Sequence, residues 1–273
     1  MSGSLERDIS AHFGKTYNYE WLRTAEPIKY IRKGNRIFAY REGYGLNGSR
    51  NYLIFGGVAD TRNPCFTVAI DPDKTTNGRE AILHTVRRAS DCFIRGTESS
   101  REMVRIAVYM AKSRGATSLF LTDDSRIQCP ERVPLAPLSF LTHGMTWYES
   151  IIPGLKAVDL PDLEAWRQKA LTNTWAEVAA RAEQNPLVGA AVWDLETGDF
   201  DIEEPGSAMA VLAKAKLDRT RCRWFSRYID GILTASGIGR LDGTDWRTDL
   251  TQINEPSYMR TVLDIGTGSR TPA

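Results

Sequence analysis

Ser99-Ser100-Arg101-Glu102-Met103-Val104-Arg105-Ile106-Ala107-Val108-Tyr109-Met110-Ala111-Lys112-Ser113-Arg114-Gly115, with Ser118-Leu119-Phe120-Leu121-Thr122 close behind, is the stretch that decides the fold. Ser99 is placed as an N-cap and Glu102 as the third helical residue, so two backbone donors can be satisfied reciprocally and a helix is predicted to start near Ser100. The apolar residues from Met103 to Ala111 cover a face too broad for a surface helix, so the helix is expected to pack on a sheet. Gly115 supplies the left-handed stop. Ser118 to Thr122 reads as a buried strand that closes at Asp123-Asp124-Ser125.

Upstream, Ile28 to Ile31, Arg36 to Tyr40, Tyr52 to Val58 and Cys65 to Ile70 read as strands, with Gly34-Asn35 as a hairpin turn. Residues 17–21 are aromatic and read as helical, and Arg79 to Ala89 as helical or partly extended. The expected class is α+β (α/β): a mixed sheet flanked by helices over residues 1–155. A mainly helical appendage with a hairpin follows over 156–253, and a Gly-, Thr- and Ser-rich flexible tail over 254–273. Within the appendage, 161–183 is a helical run begun by Pro161. Val188 to Trp193 and Phe200 to Ile202 bracket Glu196-Thr197-Gly198-Asp199 as a hairpin, and 207–217 and 221–233 are helices.

The 273 residues carry 42% hydrophobic side chains, enough for a real core. The 35 basic and 34 acidic residues leave a formal charge of +1, so long-range electrostatics nominate neither nucleic acid nor membrane. Cys65, Cys92, Cys129 and Cys222 form no short CxxC, and three histidines give no zinc spacing, so no metal is expected. They read as reduced thiols of an intracellular, cytoplasmic protein. The first residues lack a basic, apolar leader and no long apolar run occurs, so neither secretion nor membrane spanning is expected.

Strand, capped helix, strand and second helix, with the string Leu119 to Ser125, Cys129, Leu138 to Leu141, Gly144 and Thr146-Trp147-Tyr148-Glu149, resemble the second half of a GNAT superfamily acyltransferase. The same string is similar to GNAT-like proteins encoded by large double-stranded DNA viruses. The resemblance implies an acyl-CoA-dependent N-acyltransferase with acetyl-CoA as cosubstrate and an amine as acyl acceptor. Its pyrophosphate would sit on the helix N-terminus, held by a loop here represented by Arg95, Gly96, Thr97, Ser99 and Ser100. Glu98 stands where the family pattern has its first glycine. A carboxylate about 4 to 6 Å from phosphate costs roughly 1 to 4 kcal/mol, so Glu98 turns outwards or the loop caps its own helix.

By the same resemblance Tyr148, placed near the end of a helix that begins at Leu138 and shares a face with Leu141 and Met145, would protonate the departing thiolate. The other reading of Tyr148 is a core residue with a tied hydroxyl. Glu149, Asp123, Asp124 and His143 are the candidate bases, and spacing singles out none. Asp123-Asp124-Ser125 also reads as a strand-ending turn. A virus-encoded chain would reside in the host cytoplasm or the virion, and a member that had lost catalysis would be a structural or interaction protein of a virus particle or replication factory, with a protein partner for the C-terminal region. Lys216, Arg219, Arg223 and Arg227 would form one stripe on a helix, with Trp224 and Tyr228 interleaved. It would contact nucleic acid or an acidic partner, or be a solvated face.

Overall fold

The computed structural model describes residues 29–33, 36–44, 50–55, 66–70, 79–86, 97–128, 132–186, 188–190, 192, 206–253 and 262–267. They are of the α+β class and fall into two compact units, Met1–Leu121 with Ile151–Gly154 and Arg247–Ala273, and Thr122–Ser150 with Leu155–Trp246.

In the first unit, β1 (Lys29–Lys33), β2 (Arg36–Tyr44), β3 (Arg50–Phe55), β4 (Phe66–Ile70) and β5 (Arg79–Val86) pair antiparallel in chain order. Helix α1 (Thr97–Ser113) then carries the chain to β6 (Ala116–Asp123), which pairs parallel to β5 from Arg79↔Ala116 to Leu83↔Leu121. A parallel neighbour needs a crossover of this kind, whereas the antiparallel strands need only turns. The helix earns its place against the sheet by burial: Met103, Val104, Ile106, Ala107, Val108, Met110 and Ala111 are all buried, and the chain turns out of it at Gly115 with φ 83°. Lys112 at its end donates to the Ile253 carbonyl at 2.7 Å.

Two expectations change here, and one open alternative is decided. The helix begins at Thr97, so Ser99 and Ser100 lie inside its first turn and Ser99 is not the cap. Glu102 pairs with Arg105 at 2.6 Å, an i,i+3 contact along the helix surface. Residues 79–86 are strand throughout, because Ala81 and Leu83 alternate inward with period two. Finally, β11 (Val262–Thr267) pairs antiparallel with β1, so this part of the expected flexible tail is the edge strand of the sheet. A six-residue strand interrupted by Asp264 and Gly266 and recruited by long-range backbone pairing leaves little local signal.

The second unit starts at the last two residues of β6. It includes the hairpin β7 (Arg126–Gln128) and β8 (Arg132–Pro134), then α2 (Leu135–His143), and later the two-residue β9 (Lys156–Ala157). Helices α3 (Leu163–Thr172), α4 (Trp175–Glu183), α5 (Ala208–Leu217) and α6 (Cys222–Ala235) follow, and the chain leaves the unit within β10 (Thr244–Asp249). Helix α2 is central: Ala136 to Thr142 are all buried, and Leu138, Phe140 and Leu141 share one core with Trp175, Val178, Leu212, Trp224, Phe225, Ile229 and Ile232. A helix apolar on every side must be surrounded. The expected division at residue 155 therefore does not match the compact units, because the core of the second one recruits 135–142 from upstream of that boundary.

The predicted run over 161–183 is two helices. Asn173, with ψ 132°, and the extended Thr174 break it, and Thr174 and Glu177 form a capping box that starts α4. Asn173 is held there by its amide donating to the Ser236 carbonyl at 2.9 Å and by Arg181 donating to its Oδ1 at 3.1 Å. Val188 and Gly189 donate to the Asn185 carbonyl in a helical turn, contrary to the strand expected over 188–193. Short apolar runs do not distinguish the two by period. The expected helix at 17–21 and the remainder of that hairpin, including 196–202, lie outside the described residues.

Candidate functional site

Strand β6 buries alternate residues, and that alternation decides the chemistry of its end. Leu119 and Leu121 point inward, so Asp123, two further on, is carried to the same face and is 0% exposed. Its Oδ1 accepts from the Ser125 backbone N–H at 3.1 Å and from the Ser125 hydroxyl. Its Oδ2 is buried with no hydrogen-bond partner. Burial pushes the Asp123 carboxyl up to about 6; the Ser125 donors oppose the shift, and the charges of Asp242 and Asp124 add to it.

The turn before β10 is held against this strand end. Gly243 N–H donates to the Asp123 carbonyl at 3.0 Å. Asp242 accepts from Arg126 at 2.7 Å through Oδ2, while its Oδ1 is buried without a partner. Thr122, just before Asp123, donates to the Asp245 carboxylate at 2.6 Å. Tyr148 is 6% exposed, and its hydroxyl is held protonated, its pKa raised first by burial and then by the negative charge of Asp123. The indole of Trp147 meets its ring edge-on at 4.9 Å.

This arrangement relocates Tyr148. Helix α2 ends at His143 because Gly144 adopts φ 69° and its N–H closes back on the Phe140 carbonyl at 2.8 Å. Tyr148 is therefore in the turn that follows, and it does not share a helical face with Met145, which is 37% exposed. Glu149 closes that turn: it accepts from Thr146 N–H at 2.7 Å, its own N–H reaches Thr146 Oγ1 at 3.4 Å, and Arg167 donates to its other oxygen at 2.8 Å. Both carboxylate oxygens are thereby engaged. His143 is exposed, with Nδ1 2.7 Å from Thr142 Oγ1.

Of the expected cofactor loop, Arg95 and Gly96 lie outside the described residues, and Thr97, Ser99 and Ser100 are backbone of the first turn of α1. That turn leaves N–H groups without helical acceptors, which is the chemistry a pyrophosphate uses. The basic run is not one stripe: Lys216 is on α5, Arg219 in the 3-10 turn Arg219–Arg221, and Arg223 and Arg227 on α6. The extended backbone of Asp218, ψ 110°, interrupts the helix between them, and Trp224 is buried in the core rather than offered for stacking.

Cys222 is in a disulfide, and among the described residues no cysteine is free, so the reading of reduced thiols is corrected. Bond formation depends on which thiols the fold brings together, a distance that sequence spacing does not carry. Among the described residues no helix is long and apolar enough to cross a membrane, and no group of three or more His, Cys, Asp or Glu side chains is placed to hold a metal ion.

Asp242 is the member of this site that sequence reading missed. Its only local signal is the turn pair Asp242-Gly243, which sits far along the chain from Asp123. No family model matches the chain, and neither a curated protein nor a solved structure matches it.

Proposed function

We propose that the chain is a GNAT-like, acyl-CoA-dependent N-acyltransferase. The observation that carries this reading is the connectivity of the first unit, in which a run of antiparallel strands ends in a parallel pair, β5 and β6, joined by α1. The pairing stops at Leu83↔Leu121 while β5 runs on to Val86, and β5 carries an extra, bulged residue at His84 opposite the Thr67–Val68 step. In open sheets of this kind, ligands bind outside the carboxyl ends of parallel strands, and the helix that follows presents its unpaired N–H groups there. The backbone of Thr97 to Ser100 would receive the cosubstrate's pyrophosphate, with Arg95 and Gly96 beside it by resemblance. Tyr148, kept as a neutral phenol, suits a proton donor to the leaving thiolate. The acyl acceptor is an amine.

A second reading is favoured by the site itself. With Tyr148 almost fully buried and both oxygens of Glu149 engaged, the chain also suits a catalytically inactive GNAT-fold structural or interaction protein, which the resemblance alone would assign to a large DNA virus particle or replication factory. Calorimetric and thermal-shift titration with acetyl-CoA, with CoA and ATP as controls, separates the two. A ligand at about 100 times its Kd stabilises the fold by roughly 2.7 kcal/mol. Saturable, acetyl-CoA-selective binding with turnover of an amine supports the enzyme, and Tyr148→Phe then slows turnover while sparing cosubstrate affinity. Absence of any shift at millimolar ligand supports the inactive module.

A further inference from the structure

We propose that Asp123 and Asp242 form a proton-operated latch that holds the end of β6 to the Asp242–Gly243 turn within the second unit. The geometry is that of two carboxyl groups, each with one oxygen engaged and the other buried without a partner. The latch itself is the Gly243 N–H to Asp123 carbonyl bond at 3.0 Å, and the Asp242–Arg126 ion pair at 2.7 Å ties the same turn to the first residue of β7. Protonated at Oδ2, Asp123 is neutral and its burial beside Asp242 is tolerated. Ionised, it places a second negative charge beside Asp242, with Asp124 on its own turn adding a third and Asp245 on β10 engaged with Thr122.

The surrounding groups compensate that charge only at Oδ1, through Ser125. Arg126 is already on Oδ2 of Asp242, the Ser125 donors both reach Oδ1, and the Tyr148 hydroxyl is a neutral donor whose own ionisation Asp123 opposes. An unpaired buried carboxylate is relieved most cheaply by letting water reach it, so the turn separates from the strand end as the proton leaves to solvent. The pH range follows from the carboxyl, which moves from an ordinary 3.8 to about 6. Each pH unit across that interval multiplies the open-to-closed ratio by about ten, giving about 100-fold over the whole range.

The test is hydrogen exchange on the full-length chain between pH 4.5 and 8, expressed as protection relative to the unstructured rate. Protection of the Gly243 and Ser125 amides should fall from pH 4.5 to about 6 and level off above about pH 6.5, by about 10- to 30-fold in all, while amides in the middle of α6 hold theirs. Asp123→Asn should abolish the pH dependence and retain high protection throughout. Should that variant fail to fold, Ser125→Ala serves: losing the hydroxyl donor that favours the charged form should leave the onset of the fall in place and extend it to higher pH. Protection that is flat with pH in the unmodified chain, or unchanged pH dependence in Asp123→Asn, overturns the latch. Recovery of full protection at pH 7.5 on adding millimolar Mg²⁺, Ca²⁺ or K⁺ also overturns it, since a cation rather than a proton would then be the occupant.

Discussion

Removing the Glu149 carboxylate should cost stability rather than chemistry, and its contacts set the size of the effect. The Glu149 side chain is 11% exposed and that of Arg167 26%, so the pair lies between the exposed regime of about 0.2 to 1 kcal/mol and the buried one, where breaking a pair costs about 3 to 5 kcal/mol. About 2 kcal/mol is the expected share of the ion pair. Arg167 has little to fall back on: its Nε is buried without a hydrogen bond, and its contact to Glu164 is 3.4 Å to a carboxylate that is 72% exposed. Glu149→Ala also strands the Thr146 N–H in a residue that is 0% exposed, adding about 1 kcal/mol or more. The sum is about 3 kcal/mol, a loss of about 6 to 12 °C in Tm for a chain of this size.

Urea denaturation of the unmodified chain, Glu149→Ala, Arg167→Met and the double variant completes the cycle, with an expected coupling of about 1 to 2 kcal/mol. Any acyl transfer, measured per folded molecule well below the lowered Tm, should persist. A cost below about 0.5 kcal/mol, or zero coupling, would refute the structural assignment. Abolished turnover in a fully folded Glu149→Ala would return the residue to the chemistry.

Gly239→Ala should destabilise by about 2 kcal/mol or more, because the added methyl would lie 2.3 Å from the Trp166 ring, an atom of a rigid plane that cannot step aside. Trp166→Leu should relieve most of that cost in the double variant, and an unchanged urea midpoint in Gly239→Ala would contradict the packing. The folded pKa of Asp123 lies above its unfolded value, so its contribution is fully present below about pH 3.8 and is lost as pH rises through about 6. Two pH units correspond to about 3 kcal/mol, so Asp123→Asn should gain up to that amount over the unmodified chain at pH 7.5 and nothing at pH 3.5. Equal stabilities at both pH values would show that the carboxylate is compensated. Thr174→Ala should cost about 1 kcal/mol by removing the capping box of α4, and a urea series against Glu177→Ala should show the two losses to be non-additive.

The parts of the fold legible in sequence are those governed by local periodicity. The strands read at 36–40, 52–58 and 65–70, found at 36–44, 50–55 and 66–70, follow from runs rich in β-branched and aromatic residues bounded by turn residues, and the broad apolar face from Met103 to Ala111, its stop at Gly115, and the helices at 208–217 and 222–235 from side-chain spacing against a period of 3.6. Tyr148 sits off the helix its spacing suggests because the apolar spacing of Leu138, Leu141, Met145 and Tyr148 continues past Gly144, whereas the helical backbone does not. A glycine able to take φ 69° ends a helix whatever the pattern of its neighbours. The basic run failed as a stripe for a similar reason, since Asp218 interrupts a spacing that is regular on paper.

By itself the sequence determined the α+β class, the broadly apolar crossover helix, and the presence of an aspartate at the end of a buried strand. Only the tertiary structure decided what that aspartate became. Strand alternation carried Asp123 inside, but the charge that acts on it most, Asp242, comes from a turn more than a hundred residues later, and the value of a buried charge depends on what lies around it rather than on what adjoins it in the chain. The same reason separates α1, written in consecutive residues, from β11, which exists as a strand because β1 offers it an edge of unpaired backbone groups.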